Sequence, residues 1–249
     1  MRNSKKKLLF FIIFGLLNID LIYSQSIKEF DLYNWYDKTV GKVNLDINNG
    51  VVHTNPYKTS DSNNIYFVDD KFEAGTLSYD KQTYYETSLK YDIYRDILIL
   101  NPYGVSELIG INLSKDKVDS FSIYNRNFIK LRKEQYHLPD FETGYYEIFE
   151  DTSDFVFYIK HSKEMQKEVR EDGVYYQFKP VANYFLAYKK TLYTVDRKSD
   201  IIKIFPNQKK QINEFYLINR EVKKSEQSQF MKNLMKRISN SLSNENKSN

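Results

Sequence analysis

Residues 83–93 read Thr-Tyr-Tyr-Glu-Thr-Ser-Leu-Lys-Tyr-Asp-Ile, and this stretch decides the fold. Leu89, Tyr91 and Ile93 fall on one parity of the stretch, whereas Lys90 and Asp92 fall on the other. A period of two residues is typical of a strand with one buried face. The pattern therefore predicts a strand in which Leu89, Tyr91 and Ile93 face the core and Lys90 and Asp92 face solvent.

The same alternation recurs further along the chain. The other runs are Phe121 and Ile123; Phe155, Phe157 and Ile159; Val174, Tyr176 and Phe178; and Tyr184, Leu186 and Tyr188. Turn-forming residues such as Asp172 and Gly173 separate these runs. Many short strands divided by turns predict a mainly β-fold, an antiparallel sandwich or barrel-like β-domain over residues 25–200.

The pattern changes after residue 200, where residues 201–249 predict a basic helical C-terminal segment packed on the β-domain. Residues 208–220 and 225–242 have helical periodicity, and Phe230, Leu234 and Ile238 recur every four residues along the second helix. Isolated helices of this length are marginal in water, so this apolar stripe needs a partner surface. We therefore treat Phe230, Leu234 and Ile238 as candidate partner-binding residues.

The beginning of the chain has the order of a secretory signal peptide. A basic flank precedes the apolar run of residues 8–17, and small and polar residues follow it. We expect residues 1–24 to be removed after Ser24, so that the mature chain is exported to the periplasm or the extracellular space. No second long apolar segment follows, so we expect no transmembrane span in the mature chain.

Charge is unevenly distributed along the chain, whose formal net charge is +4. Residues 25–185 carry 26 acidic and 19 basic side chains, whereas residues 186–249 carry 14 basic and 6 acidic ones. A basic segment can bind nucleic acid or a membrane surface, but it can also complement the acidic part of its own chain. Because export argues against nucleic acid, we favour the second interpretation.

The sequence contains no recognisable catalytic, metal or cofactor motif. It has no cysteine, and its three histidines, His53, His137 and His161, lack the spacing of metal ligands, so we expect three surface histidines. No nucleophile elbow or Gly-rich phosphate loop is present. The sequence therefore predicts no catalytic residue, no metal and no cofactor.

Aromatic and carboxylate side chains supply the remaining candidates for a ligand site. Trp35, Tyr91, Asp92 and Asp96 are the residues that could stack on a sugar ring and serve as an acid–base pair. Parity places Asp92 in solvent, and Asp96 next to Arg95 indicates a turn or a local ion pair.

Several stretches resemble an uncharacterised family of exported, β-rich bacterial envelope proteins with no known activity. The residues that carry the resemblance are Gly41 with Gly50; Phe72-Glu73-Ala74-Gly75-Thr76-Leu77-Ser78-Tyr79; Tyr84 to Ile93 with Asp96; Gly144-Tyr145-Tyr146-Glu147; and Ile204-Phe205 with Lys209-Lys210. The resemblance implies export and a β-domain with a helical C-terminus, and it supplies no site residue.

Two functional hypotheses follow. The first is an exported, non-catalytic envelope protein that binds another protein or a cell-surface component such as a polysaccharide. The second is a carbohydrate-binding protein or hydrolase that uses a Tyr/Asp cleft. The second hypothesis requires Trp35, Tyr91, Asp92 and Asp96 to converge on one concave site.

Overall fold

An antiparallel sheet of eleven strands forms the body of the described chain. The computed structural model describes residues 31–33, 35–36, 39, 41, 45–60, 63–102, 108–136, 138–139, 141–152 and 154–248. The predicted signal peptide, residues 1–24, its cleavage site and His137 lie outside the described residues.

The strands follow the chain from the first short pair of valines to a short edge strand before the helices. They are β1 Val51–Val52, β2 Glu73–Tyr79, β3 Gln82–Asp92, β4 Ile97–Leu100, β5 Ile111–Asn112, β6 Val118–Ile123, β7 Arg126–Leu131, β8 Gly144–Asp151, β9 Phe155–Arg170, β10 Gly173–Tyr188 and β11 Thr191–Thr194. Their order in the sheet is β1-β5-β4-β3-β2-β6-β7-β8-β9-β10-β11. The predicted mainly antiparallel β-fold with a helical C-terminus is confirmed, and the sheet is open rather than closed into a barrel.

Strand β3 departs from simple alternation because it contains a bulge. Gly75 pairs with Thr87 whereas Leu77 pairs with Tyr84, so two residues of β3 lie opposite one of β2. Glu86, in the bulge, has a φ of 52°. The inserted residue reverses the parity, and Tyr84 therefore joins the core although the sequence pattern places it on the polar side.

The second face of β3 is buried as well. Leu89, Tyr91 and Ile93 are buried, which confirms their predicted direction, but Lys90 and Asp92 are 6% and 0% exposed, so their predicted solvent exposure is wrong. A preceding segment covers this face. It forms a bridge between Tyr66 and Asp92, and its backbone accepts a hydrogen bond from Ile93.

Four helices follow the sheet: α1 Lys198–Ile204, α2 Lys209–Ile218, α3 Arg220–Ser225 and α4 Gln227–Ser248. The helices predicted over 208–220 and 225–242 correspond to α2 and to α4, and α1 begins three residues before the predicted boundary at 201. Pro206 starts a short 3₁₀ turn that separates α1 from α2. Among the described residues, no helix is long and apolar enough to cross a membrane.

The helices cover one face of β8, β9 and β10. Their buried side chains form one cluster with Phe155, Phe157, Tyr184 and Leu186 of the sheet. Phe157 and Tyr184 stack with ring centroids 6.0 Å apart on β9 and β10. The helical segment thus closes a second core, and the gap between its last helix and β10 forms the site considered below.

Candidate functional site

Two of the sequence-predicted site residues, Tyr91 and Asp96, meet in the core. The Tyr91 hydroxyl donates a 2.6 Å hydrogen bond to Asp96 Oδ1. The ammonium groups of Lys115 and Lys160 lie 2.5 Å and 2.6 Å from the same carboxylate. Burial alone would raise the pKa of Asp96, but the charges of Lys160 and Lys115 hold it below its ordinary value. Asp96 lies in the turn that the sequence predicts, and its ion pairs are with these lysines and not with Arg95.

The Asp92 carboxylate forms all of its described hydrogen bonds within its own turn. Its Oδ1 accepts hydrogen bonds from the backbone N–H groups of Tyr94 and Arg95, at 3.0 Å and 2.9 Å. Its Oδ2 lies 2.6 Å from Arg95 Nε. The Asp92 side chain has no exposed area, and its hydrogen bonds stabilise the β3–β4 turn.

Trp35 lies on the surface, with 62% of its area exposed. None of the contacts of Tyr91, Asp92 and Asp96 described above involves Trp35. The structure therefore brings Tyr91 and Asp96 together, places Asp92 beside them in the sequence but in a separate hydrogen-bond set, and leaves Trp35 apart.

The candidate partner-binding stripe of α4 is internal. Phe230, Leu234 and Ile238 have no exposed area and belong to the cluster shared with β9 and β10. Phe230 also packs edge-on against Tyr216 of α2, with ring centroids 4.8 Å apart. The partner that this stripe covers is the sheet of its own chain.

A cavity of about 610 Å³ lies between β10 and the start of α4, and we call it the β10–α4 groove. Pro180, Val181, Ala182 and Tyr184 of β10 line one part of it, and residues 225–229 at the α3–α4 junction line another. The remaining lining residues are Arg126, His161 and Lys232. The groove thus combines a strand edge, a helix start and a set of charged side chains.

A buried carboxylate, Glu147, organises the charged side chains of the groove. His161 Nε2 lies 2.6 Å from Glu147 Oε2, and Lys232 Nζ lies 2.9 Å from Oε1. Arg126 NH1 approaches Oε2 less closely, at 3.4 Å. Burial would raise the pKa of Glu147, but the hydrogen bonds from His161 and Lys232 outweigh it and lower the pKa to about 2.

His161 is held as a neutral imidazole. Its burial lowers its pKa, and the hydrogen bond and charge of Glu147 oppose this shift only in part. The ring packs against Phe67, with centroids 4.8 Å apart. Because an ionised carboxylate can only accept, the proton of the imidazole is on Nε2. The expectation that all three histidines lie on the surface is therefore wrong for His161.

The edge of β10 that borders the groove has backbone groups without a strand partner. The backbone N–H and C=O groups of the even-numbered residues of β10 point away from β9. This is shown by Tyr176 N–H, which donates to Lys58 O at 2.9 Å, and by Tyr184 O, which accepts from Val195 N–H at 2.9 Å. The pairing of β9 with β10 is continuous, so the same rule holds for Pro180 and Ala182 between them.

Within the described residues, nothing pairs with the Ala182 N–H and C=O groups on this side. Pro180 has no N–H to donate, and its outward position explains why a proline is tolerated inside a paired strand. Phe178 and Tyr184 on either side are occupied, since Phe178 N–H donates to Asn63 Oδ1 at 2.7 Å and Tyr184 accepts from Val195. The free edge is therefore a short gap centred on Ala182.

The Glu147 carboxylate suits ion pairing rather than proton transfer. A carboxyl group with a pKa of about 2 stays ionised at neutral pH and is a poor general acid or base. Sequence reasoning missed the whole groove, although one signal was present. His161 continues the core-facing parity of Phe157 and Ile159 in β9, which indicates a buried histidine.

In the described part of the chain, no three His, Asp or Glu side chains lie close enough together to hold a metal ion. Comparison with known proteins finds no match: no family model, no curated protein and no solved structure is similar to this chain.

Proposed function

We propose that this chain is an exported, non-catalytic envelope protein that binds an extended segment of another protein in the β10–α4 groove. The observation that carries the proposal is the gap in the edge of β10, where the Ala182 N–H and C=O point away from β9 without a described partner. Ala182 also lines a cavity of about 610 Å³. An extended segment can add to such an edge as a further strand, with backbone hydrogen bonds supplying affinity.

The length of the gap in the edge of β10 sets the length of the segment that can bind there. Phe178 and Tyr184 are six residues apart, or roughly 20 Å at about 3.3 Å per residue. A bound strand of about this length reaches the Ala182 N–H and C=O between the two occupied positions. The side chains of the bound strand alternate, so those on one side enter the groove between β10 and α4.

Export to the periplasm or the extracellular space is part of the same proposal. It is supported by the basic, apolar and small-residue order of residues 1–24 and by the resemblance to exported envelope proteins. A chain with no cysteine has no thiol chemistry to protect in such a compartment.

The burial of the sequence-predicted Tyr/Asp residues favours protein binding over the carbohydrate alternative. Tyr91 is 1% exposed and Asp92 is 0% exposed, so neither offers a face to a sugar ring or a position beside a glycosidic bond. The groove, in contrast, has an open strand edge.

The proposal is tested with a phage-displayed library of random heptapeptides that carry free C termini. Peptides selected on the mature protein are synthesised, and their affinities are measured for Ala182→Pro and for the matched control Asn183→Ala. Proline at 182 removes the free donor without breaking a bond to β9. We expect at least a tenfold weaker affinity for Ala182→Pro and no change for Asn183→Ala, with both variants melting near the parent.

Amide hydrogen exchange provides a second measurement that needs no variant. The Ala182 N–H should exchange faster than those of Val181 and Asn183, which face β9, and it should become protected when the peptide binds. Equal peptide affinity of Ala182→Pro and the parent contradicts the proposal. Protection of Ala182 in the free protein would also contradict it, because the gap would then be filled by this chain or by a second copy.

A further inference from the structure

We propose that the segment bound in the β10–α4 groove carries a carboxylate and that Arg126 is the residue that receives it. This inference rests on the function proposed above and adds the chemistry of the partner. It covers both sources of a carboxylate, the C terminus of a chain and an Asp or Glu side chain, which the experiment below distinguishes.

The charges around Glu147 include one more cation than its carboxylate needs. Lys232 lies 2.9 Å from one carboxylate oxygen and neutralises Glu147 without any further cation. The shortest contact to the other oxygen comes from His161, at 2.6 Å. Arg126 is therefore a surplus cation, and the only described hydrogen bond of its guanidinium is the 3.4 Å approach of NH1 to Glu147.

The Arg126 guanidinium is accessible to a ligand in the groove. Its side chain is 40% exposed and lines the groove. The guanidinium carbon lies 5.2 Å from the centre of the Phe67 ring, which supports one side of the group. Among the described residues, none accepts a hydrogen bond from Arg126 Nε or NH2. A guanidinium with free N–H groups matches a carboxylate in bidentate geometry.

Arg126 and Ala182 line one cavity. Ala182 pairs with His161 across β9 and β10, and His161 and Arg126 contact the same Glu147 oxygen. In the strand order β8 and β9 separate β7 from β10, so a strand added at Ala182 reaches Arg126 through an end or a side chain that enters the cavity. Across the groove the exposed Glu226 lines the α3–α4 junction, so a ligand carboxylate is favoured at Arg126 and disfavoured at Glu226.

The test uses the peptides selected above in three forms: with a free C terminus, amidated at the C terminus, and with each Asp or Glu replaced by Asn or Gln. The variants are Arg126→Gln, Arg126→Lys and Glu226→Gln. Arg132→Gln is the matched control, because Arg132 is exposed and lies outside the groove.

We expect Arg126→Gln to weaken binding of the carboxylate peptide about 10- to 100-fold, the range of a charge-assisted hydrogen bond. Arg126→Lys should restore part of the affinity, since it keeps the charge but loses the fork. Glu226→Gln should bind the peptide at least as tightly as the parent, and Arg132→Gln should not change it. One modified form of the peptide should bind the parent more weakly than the unmodified peptide, and Arg126→Gln should not weaken the binding of that form further. That form identifies the source of the carboxylate.

Each remaining outcome contradicts one of the two proposals separately. If Arg126→Gln binds as tightly as Arg132→Gln, or if neither amidation nor Asp and Glu replacement weakens binding, the carboxylate inference is wrong. Strand addition still stands in that case when Ala182→Pro abolishes binding. If Ala182→Pro binds normally, the proposed function itself is wrong, whatever the effect at Arg126.

Discussion

His161 Nε2 donates a 2.6 Å hydrogen bond to Glu147 Oε2, and this bond joins β9 to β8 directly below the groove. Lys232 brings α4 to the same carboxylate. One buried side chain thus connects two strands of the sheet with the helix that covers it.

The free energy of unfolding should fall in acid through both members of the pair. The pKa of Glu147 is lowered to about 2, so its contribution is present above the unfolded value of about 4.5 and is lost as the pH falls from 4.5 toward 2. The pKa of His161 is also lowered, so protonation favours the unfolded chain and stability begins to fall below about pH 6.5. Urea unfolding as a function of pH measures both windows.

The variant Glu147→Gln isolates the carboxylate from the rest of the chain. It removes the negative charge that pairs with Lys232, whose side chain is 11% exposed, and we expect it to cost roughly 3 to 5 kcal/mol at pH 7. It should also flatten the pH dependence of the free energy of unfolding between pH 4.5 and 2. An unchanged slope in this window would show that other carboxylates cause the acid loss.

Lys90 should behave as a core residue in spite of its charge. Its Nζ lies 2.6 Å from Asp70 Oδ1 and 4.4 Å from the ring centres of Tyr66 and Phe72. We expect Lys90→Ala to cost about 1 to 3 kcal/mol, because it loses a charged hydrogen bond and two cation–π contacts. The exposed Lys71→Ala is the control, at less than about 0.5 kcal/mol. Equal chemical stabilities of the two variants would contradict the buried environment of Lys90.

Leu234 tests whether the last helix belongs to the folded unit. It has no exposed area and packs in the cluster with β9 and β10, so Leu234→Ala should cost about 2 to 5 kcal/mol. Lys236→Ala, exposed on the same helix, should change stability by less than about 0.5 kcal/mol. Added salt should alter the difference little, because apolar burial dominates it. A melting temperature unaffected by Leu234→Ala would indicate that α4 is detached in solution.

Gly75 should be intolerant of any side chain. A Cβ atom at this position would lie 2.1 Å from Ser122 O of the neighbouring strand β6, so the two backbones would have to separate. We expect Gly75→Ala to lower the melting temperature, whereas Ala74→Ser, one residue earlier and exposed, should leave it nearly unchanged. Calorimetry of the two variants measures the difference, and similar melting temperatures would show that β2 and β6 are further apart.

Most of the fold could be predicted from the local spacing of apolar residues in the sequence. The alternation at Leu89, Tyr91 and Ile93 and the four-residue spacing of Phe230 and Leu234 depend on period alone, and the structure buries all of these side chains. The bulge at Glu86 was not visible, because an inserted residue leaves no signal in composition. The burial of Lys90 could not be predicted for a different reason, because the segment that covers this face of β3 is distant from Lys90 in the sequence.

The groove could not be found from the sequence because its parts are far apart in the chain. Arg126, Glu147, His161 and Lys232 belong to four different elements, and no spacing rule connects them. The free edge at Ala182 depends on which strand ends where, which is a property of sheet order. Only the parity of His161 in β9 pointed toward this site.

The order of the strands also has a consequence for how the chain folds. From β6 to β11 every strand pairs with its successor, and the turns at Tyr124 and Asn125 and at Lys189 and Lys190 have the positive φ values that favour tight hairpins. The junction of β2 with β6, in contrast, pairs Leu77 with Phe121, a contact of long sequence separation. Because closing a long loop costs chain entropy before contacts repay it, we expect the β6–β11 meander to form the nucleus and the β1–β5 half to dock later.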